Sequence, residues 1–138
     1  MSDIYSVKKR SQIMSKISGK NTLPEILVRK FLFSKGFRFR VNQKNLPGKP
    51  DIVLEKYKTI IQVHGCFWHG HKNCRASKLP QTNNNFWKIK INSNIERDKK
   101  NKTKLKKLGY KVITVWQCQL KNEKIKLKTL EKLTHKIL

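Results

Sequence analysis

Pro50–His64 reads PDIVLEKYKTIIQVH, and its two β-branched runs around a short charged turn decide what kind of fold the chain can have. The pattern predicts strands over Asp51–Leu54 and Thr59–His64. Asp51 stands at the mouth of the first, directly after Pro50. Gln62 and His64 fall on one face of the second, because strand side chains alternate. Upstream, FRFRV at Phe37–Val41 alternates apolar with basic residues, the period of a half-buried strand. Before it, Thr22 can cap a helix, Pro24 suits the first turn, and Glu25 follows Thr22 at capping-box spacing. Leu23, Ile26, Leu27 and Phe31 keep helical spacing and Gly36 supplies a stop, giving a helix over about Leu23–Lys35.

Downstream, a helix is expected over about Trp87–Leu108, with Ile91, Ile95, Leu105 and Leu108 as its apolar positions and Gly109 at its end. KVITVW, Lys111–Trp116, is the continuous apolar run of a strand buried inside a sheet. A last helix, about Glu123–Ile137, places Leu127, Leu130, Leu133 and Ile137 on one face. The order helix, three strands, helix, strand, helix predicts an α/β fold: a small mixed sheet flanked by helices. A chain of 138 residues holds one such core, so residues 1–138 are read as a single domain. Residues 1–20 are polar and basic with little periodicity, an arm expected to order on a partner.

Lys and Arg number 33 against eight Asp and Glu, a net charge of +25. That excess exceeds what solubility needs and points to a polyanion. The alternative is a set of solvated helix faces on a lysine-rich protein. No stretch is apolar enough to span a bilayer and MSDIYSVKKR lacks the apolar core of a signal peptide, so a cytoplasmic protein is expected. Three cysteines, an odd number, fit a reducing compartment and metal ligation better than a disulfide framework.

Val63–Cys74, VHGCFWHGHKNC, concentrates the chemistry. Zinc needs four convergent N or S ligands, and short-spaced Cys and His close most of that loop in advance. Cys66, His71 and Cys74 offer the spacing, and Cys118, just past the Lys111–Trp116 strand, can arrive from the sheet as the fourth. This uses every cysteine in the chain. The alternative is a pair of ordinary buried thiols beside solvated histidines. His64 and His69 are surplus to such a site.

Adjacent strands that bring a carboxylate, a side chain and a main-chain carbonyl together hold a divalent cation in PD-(D/E)xK nucleases. Here Asp51 is the acid, while Gln62 and His64 replace the usual acid and lysine, so the pattern is degenerate. Mg2+ accepts such oxygen ligands and keeps waters. The alternative is that Pro50 and Asp51 simply make a turn. Phosphodiester hydrolysis needs an activated water and a proton for the leaving oxygen, and histidine as a residue type titrates near neutrality. His69, on the loop between Cys66 and His71, is the candidate base. His64 is placed to contact the phosphate or assist the leaving group. Glu25 either holds a metal-bound water or serves the cap with Thr22.

Together MSKISGKNTLPEILVRKFLFSKGFRFR, LPGKPDIVL, VHGCFWHGHKNC, LPQTNNNFWKIKINSNIERDKKN and LGYKVITVWQCQL resemble, in order, the very-short-patch repair (Vsr) DNA mismatch endonucleases. The resemblance covers nearly all of residues 13–120, and GCFWHGH after PDIVL is its most specific part. It implies a restriction-endonuclease-like fold with one structural zinc site, and a Mg2+-dependent nick at T:G mismatches left by deaminated 5-methylcytosine. It further implies Asp51 and the Val63 main-chain carbonyl for Mg2+, His69 as base, His64 and Glu25 in support, and Zn2+ on Cys66, His71, Cys74 and Cys118. Phe67 and Trp68 would enter the base stack beside the mismatch, helped by Met14. Without the resemblance, packing around zinc is the simpler role for both aromatics.

Double-stranded DNA with a T:G mismatch is thus the expected partner of a monomeric enzyme, with a functional link to a cytosine-5 DNA methyltransferase and contacts with general mismatch-repair proteins. Two departures stand out: two residues rather than one separate His71 from Cys74, and Val63 replaces a threonine. The alternatives are a site-specific restriction endonuclease acting on intact duplex and a zinc-stabilised DNA-binding module without catalysis.

Overall fold

A computed structural model of the chain describes residues 22–138. Its first helix, α1, spans Leu23–Ser34, with the Thr22 side chain accepting a hydrogen bond from the Glu25 N–H as the cap chemistry predicts. α1 ends when Gly36, at φ +87°, turns the chain so that the Phe37 N–H reaches the Leu32 carbonyl at 3.0 Å. That bond uses Phe37 for helix closure. The expected strand over Phe37–Val41 is therefore cut to its last two residues, β1 Arg40–Val41.

β2 is Ile52–Leu54 and β3 Thr59–His64, joined by the tight turn Glu55–Lys58. α2, Asn84–Lys107, is followed by β4, Lys111–Trp116, and α3, Glu123–Ile137, closes the fold. α2 starts three residues earlier than its apolar periodicity indicated. The sheet order is β1-β2-β3-β4, antiparallel except for the parallel pair β3 and β4, with His64 opposite Trp116. A parallel pair requires the chain to travel back between its strands, and α2 makes that return. The mixed sheet flanked by helices is as expected.

Alternation divides the sheet into two different faces. On one, Ile52, Leu54, Ile61, Val63, Ile113 and Val115 pack against α1 and α3 in a continuous apolar core. Each such side chain contributes roughly 1.5–3 kcal/mol on full burial. On the other, among the described residues, Val53 and Ile60 form a smaller buried apolar group with Leu105 from the C-terminal half of α2. Gln62 and His64 continue that second face toward the end of β3, where it turns polar. Three residues expected on apolar helix faces are outside: Leu23 is 80%, Leu108 55% and Leu127 53% exposed. Among the described residues no helix is long and apolar enough to cross a membrane.

Candidate active site and metal centre

Asp51 lies one residue before β2, where the β2–β3 ladder runs out. Its Oδ2 accepts a hydrogen bond of 2.7 Å from the Val63 N–H, so the carboxyl takes the place of the missing strand partner. Burial pushes the Asp51 carboxyl up to about 7; the Val63 N–H opposes this, the Glu25 charge adds to it, and His69 and Arg29 pull it down. Glu25 is itself buried and pairs with Arg29 at 3.0 Å. In an extended strand the N–H and C=O of one residue leave the same side of the backbone. The Val63 carbonyl therefore opens toward Asp51 as well. A half-buried carboxyl beside a second acid and a main-chain carbonyl is a donor set suited to a hard dication.

His69 Nδ1 lies 2.6 Å from Asp98 Oδ2 on α2. Its ring stacks on His64 with centroids 3.8 Å apart and planes 3° from parallel, and Trp116 meets His64 edge-on. Burial and the neighbouring His69 press the His64 imidazole down to about 4, which leaves it neutral at neutral pH. The structure thus brings His64, His69 and Asp98 into one cluster. Asp98 was not among the residues picked out from the sequence. An acid in a lysine-rich helix reads as a solvent ion pair, and its signal lies in the spacing of Trp87, Ile91, Asn94, Asp98, Asn101 and Leu105, alternately four and three residues apart.

That spacing is the inner stripe of α2, and most of it grips the loop at residues 67–70. Ile91 and Ile95 close over Gly70, where an added Cβ would sit 2.6 Å from the Ile95 Cδ1 and where φ is +59°. Only glycine fits there without displacing α2. Asn94 is buried and donates its Nδ2–H to the Trp68 carbonyl at 2.9 Å, while accepting from Arg97 at 3.1 Å. Trp87 meets Phe67 and Trp68 edge-on, with centroids 5.3 Å and 5.7 Å away. Phe67 and Trp68 are thus not packed around the Cys and His cluster alone: they join Trp87, and Trp68 remains 48% exposed. Met14 and the arm at residues 1–20 lie outside the described residues.

Cys66, His71, Cys74 and Cys118 converge as the spacing predicted, with all four ligand atoms within 4.8 Å of one another. Four tetrahedral ligands of zinc stand about 3.3–3.8 Å apart by the usual bond lengths. The Cys118 Sγ to His71 Nδ1 separation of 3.5 Å is such an edge. The loop is held independently: the His71 N–H reaches the Cys66 carbonyl, and the Ser77 hydroxyl donates toward the His71 and Cys74 carbonyls. Two residues between His71 and Cys74 therefore do not prevent convergence. Burial, with the Cys66 and Cys74 thiols alongside, pushes the Cys118 thiol up to about 12. Three thiols and an imidazole converging this closely are a donor set that fits a soft dication.

The family model described as DNA mismatch endonuclease Vsr matches residues 2–75, more than half of the chain. A type II nicking enzyme of Neisseria meningitidis serogroup A, V.NmeAIP, is 54% identical over 137 residues, 99% of this chain and 97% of its own. V.XorIIP, a type II nicking enzyme of Xanthomonas oryzae pv. oryzae, is 44% identical over 120 residues, covering 87% and 88%. The DNA mismatch endonuclease Vsr of Escherichia coli K12 is 40% identical over 121 residues, covering 88% and 77%. These similarities lead to one conclusion: the chain belongs to the Vsr family of DNA mismatch endonucleases.

Proposed function

We propose that the protein nicks one strand of double-stranded DNA at a T:G mismatch left by deamination of 5-methylcytosine, and so starts very-short-patch repair in partnership with a cytosine-5 DNA methyltransferase. The observation that carries the reading is the bond between His69 and Asp98 beside Asp51, in a chain of this family. Asp51 and the Val63 carbonyl would hold Mg2+, which when bound supplies charge to offset that developing on the phosphate. His69 takes the proton of the attacking water at its Nε2, since its Nδ1 faces Asp98. Asp98 fixes the ring and favours the imidazolium that forms, as a carboxylate behind a histidine does. His64, neutral and stacked on His69, excludes water from one face of that ring. It can donate a hydrogen bond to a phosphate oxygen without adding a second charge.

Cys66, His71, Cys74 and Cys118 would hold a structural Zn2+, with no ligand position left open for chemistry. Phe67 and Trp68, braced by Trp87, enter the stack. A mismatched step costs less to open than a paired one, which makes the wedge selective. Glu25 supports the cation side of Asp51. The name of the Neisseria relative favours a second reading, nicking at a site in intact duplex. Incubation with Mg2+ and labelled duplexes containing a single T:G, T:A or C:G pair separates the two. Nicking confined to T:G supports the mismatch reading, equal nicking of all three supports the second, and three intact duplexes overturn both.

A further inference from the structure

The rear face of the molecule carries a groove that the proposed reaction does not use. It measures about 230 Å³ and lies between β4 and α3, with Ile113, Val115 and Leu133 as floor and Lys128, Lys132 and Lys136 along its rim. Among the described residues β4 is an edge of the sheet. The Lys111 N–H donates inward to the Lys58 carbonyl, so residues of that parity, 111, 113 and 115, bond toward β3. By alternation, the N–H and C=O groups of Val112 and Thr114 leave the sheet on its open side. The Trp116 N–H, next in that series, is taken by the Gln119 side chain at 2.9 Å, which ends the open stretch.

The lysine rim and the open edge share one repeat. α3 runs antiparallel to β4, as the bond from Lys111 Nζ to the Lys136 carbonyl at its far end shows. Lysines four residues apart on a helix are about 6 Å apart along its axis. Alternate side chains of an extended strand are about 6.6–6.8 Å apart. A strand added to β4 would therefore bring every second side chain opposite a lysine. Glu131, the one acid in this stretch of α3, does not line the groove.

We propose that the open edge of β4 and the lysine rim of α3 form a docking site for an acidic, extended segment of another protein, which adds to the sheet as a fifth strand. Backbone pairs supply the register and the lysines select the charge. Charge decides between occupants. A second copy would bring the same lysine rim against this one, and residues 1–20 carry Lys8, Lys9, Arg10, Lys16 and Lys20 against Asp3 alone. Duplex DNA is electrostatically suitable, but it offers no alternating donors and acceptors to a strand edge. The groove also opens on the α3 side of the sheet, behind the face that carries His64 and His69.

The test uses the full chain, 15N-labelled, with the blocked hexapeptide acetyl-Glu-Val-Glu-Val-Glu-Val-amide, its Lys-for-Glu counterpart, and a version N-methylated at the central valine. The acidic peptide is expected to bind, to protect the Val112 and Thr114 amides from exchange, and to weaken by at least about tenfold in Lys128→Glu/Lys132→Glu. Nicking by that variant should match the unaltered protein. The basic and N-methylated peptides should bind far more weakly. Equal binding by the N-methylated peptide, or no protection in β4, overturns the strand-addition proposal. So does protection of Thr114 by a mismatched duplex together with lost DNA affinity in the variant, which would assign the groove to DNA.

Discussion

Eleven residues, His64–Cys74, supply most of two clusters that close in different ways. Cys66, His71 and Cys74 take their last member, Cys118, from the turn after β4, the strand paired to β3. His64 and His69 take theirs, Asp98, from the middle of α2. The first cluster is tied to the sheet, and its four donors point at one another. The second is tied to a helix across the loop, and one side of it is open. Closure on the sheet fixes where the loop begins and ends; closure on α2 fixes how its tip is turned. The difference predicts that damage to the first cluster reads out as lost structure and damage to the second as lost chemistry.

Cys118→Ser should give the largest effect. Zinc content should fall and thermal unfolding should lose its cooperative transition or shift down strongly, because apparent binding free energies of structural zinc, about 10–16 kcal/mol in small domains, are folding free energy. A variant that keeps both zinc and melting temperature would break the division. Asp51→Ala should next abolish nicking of a T:G duplex while gel-shift binding survives; equal nicking would remove Asp51 from the cation site. His69→Ala should lower the single-turnover rate by about 10²–10⁴-fold, with zinc content and far-UV spectrum unchanged. Asp98→Asn should cost less than His69→Ala, since it leaves the base and alters only its orientation. If Asp98→Asn matched the parent, the bond to His69 would be incidental.

The smallest effect concerns stability and pH. The Asp51 carboxyl is raised from 3.8 to about 7 on folding, so between those values the folded state binds the extra proton. Stability must then fall as pH rises through that window, and the full penalty applies above it. Asp51→Asn removes the penalty. In metal-free buffer it should stabilise the protein by roughly 2–4 kcal/mol at pH 8, with a gain that shrinks toward nothing near pH 4. A gain independent of pH would point to packing instead.

Much of this was legible in the sequence because it is local. The cap at Thr22, the strand at Thr59–His64, the helix at Glu123–Ile137 and the Cys and His spacing each depend on residues within a few positions of one another. FRFRV misled because the Phe37 N–H is used by the helix before it, which the alternation of side chains does not reveal. Asp98 and Asn94 were missed because polar residues on a basic helix look solvated. What makes them internal is the loop they face, 26 and 29 residues away. The aromatics needed Trp87 to become a cluster, for the same reason.

The inner stripe of α2 also bears on how such a chain tolerates change in length. Along it, Trp87 meets Phe67 and Trp68, Ile91 and Asn94 hold the loop, and Asp98 holds His69. Asn101 lies against Gly48, so closely that a Cβ there would sit 2.7 Å away, beside the turn leading to Asp51. One inserted residue within this stretch would rotate everything after it by about 100° and set the grips on Trp68 and His69 out of phase. The loop at residues 72–83 holds none of that stripe. The two residues between His71 and Cys74 fall there, where a change in length leaves the alignment along α2 intact.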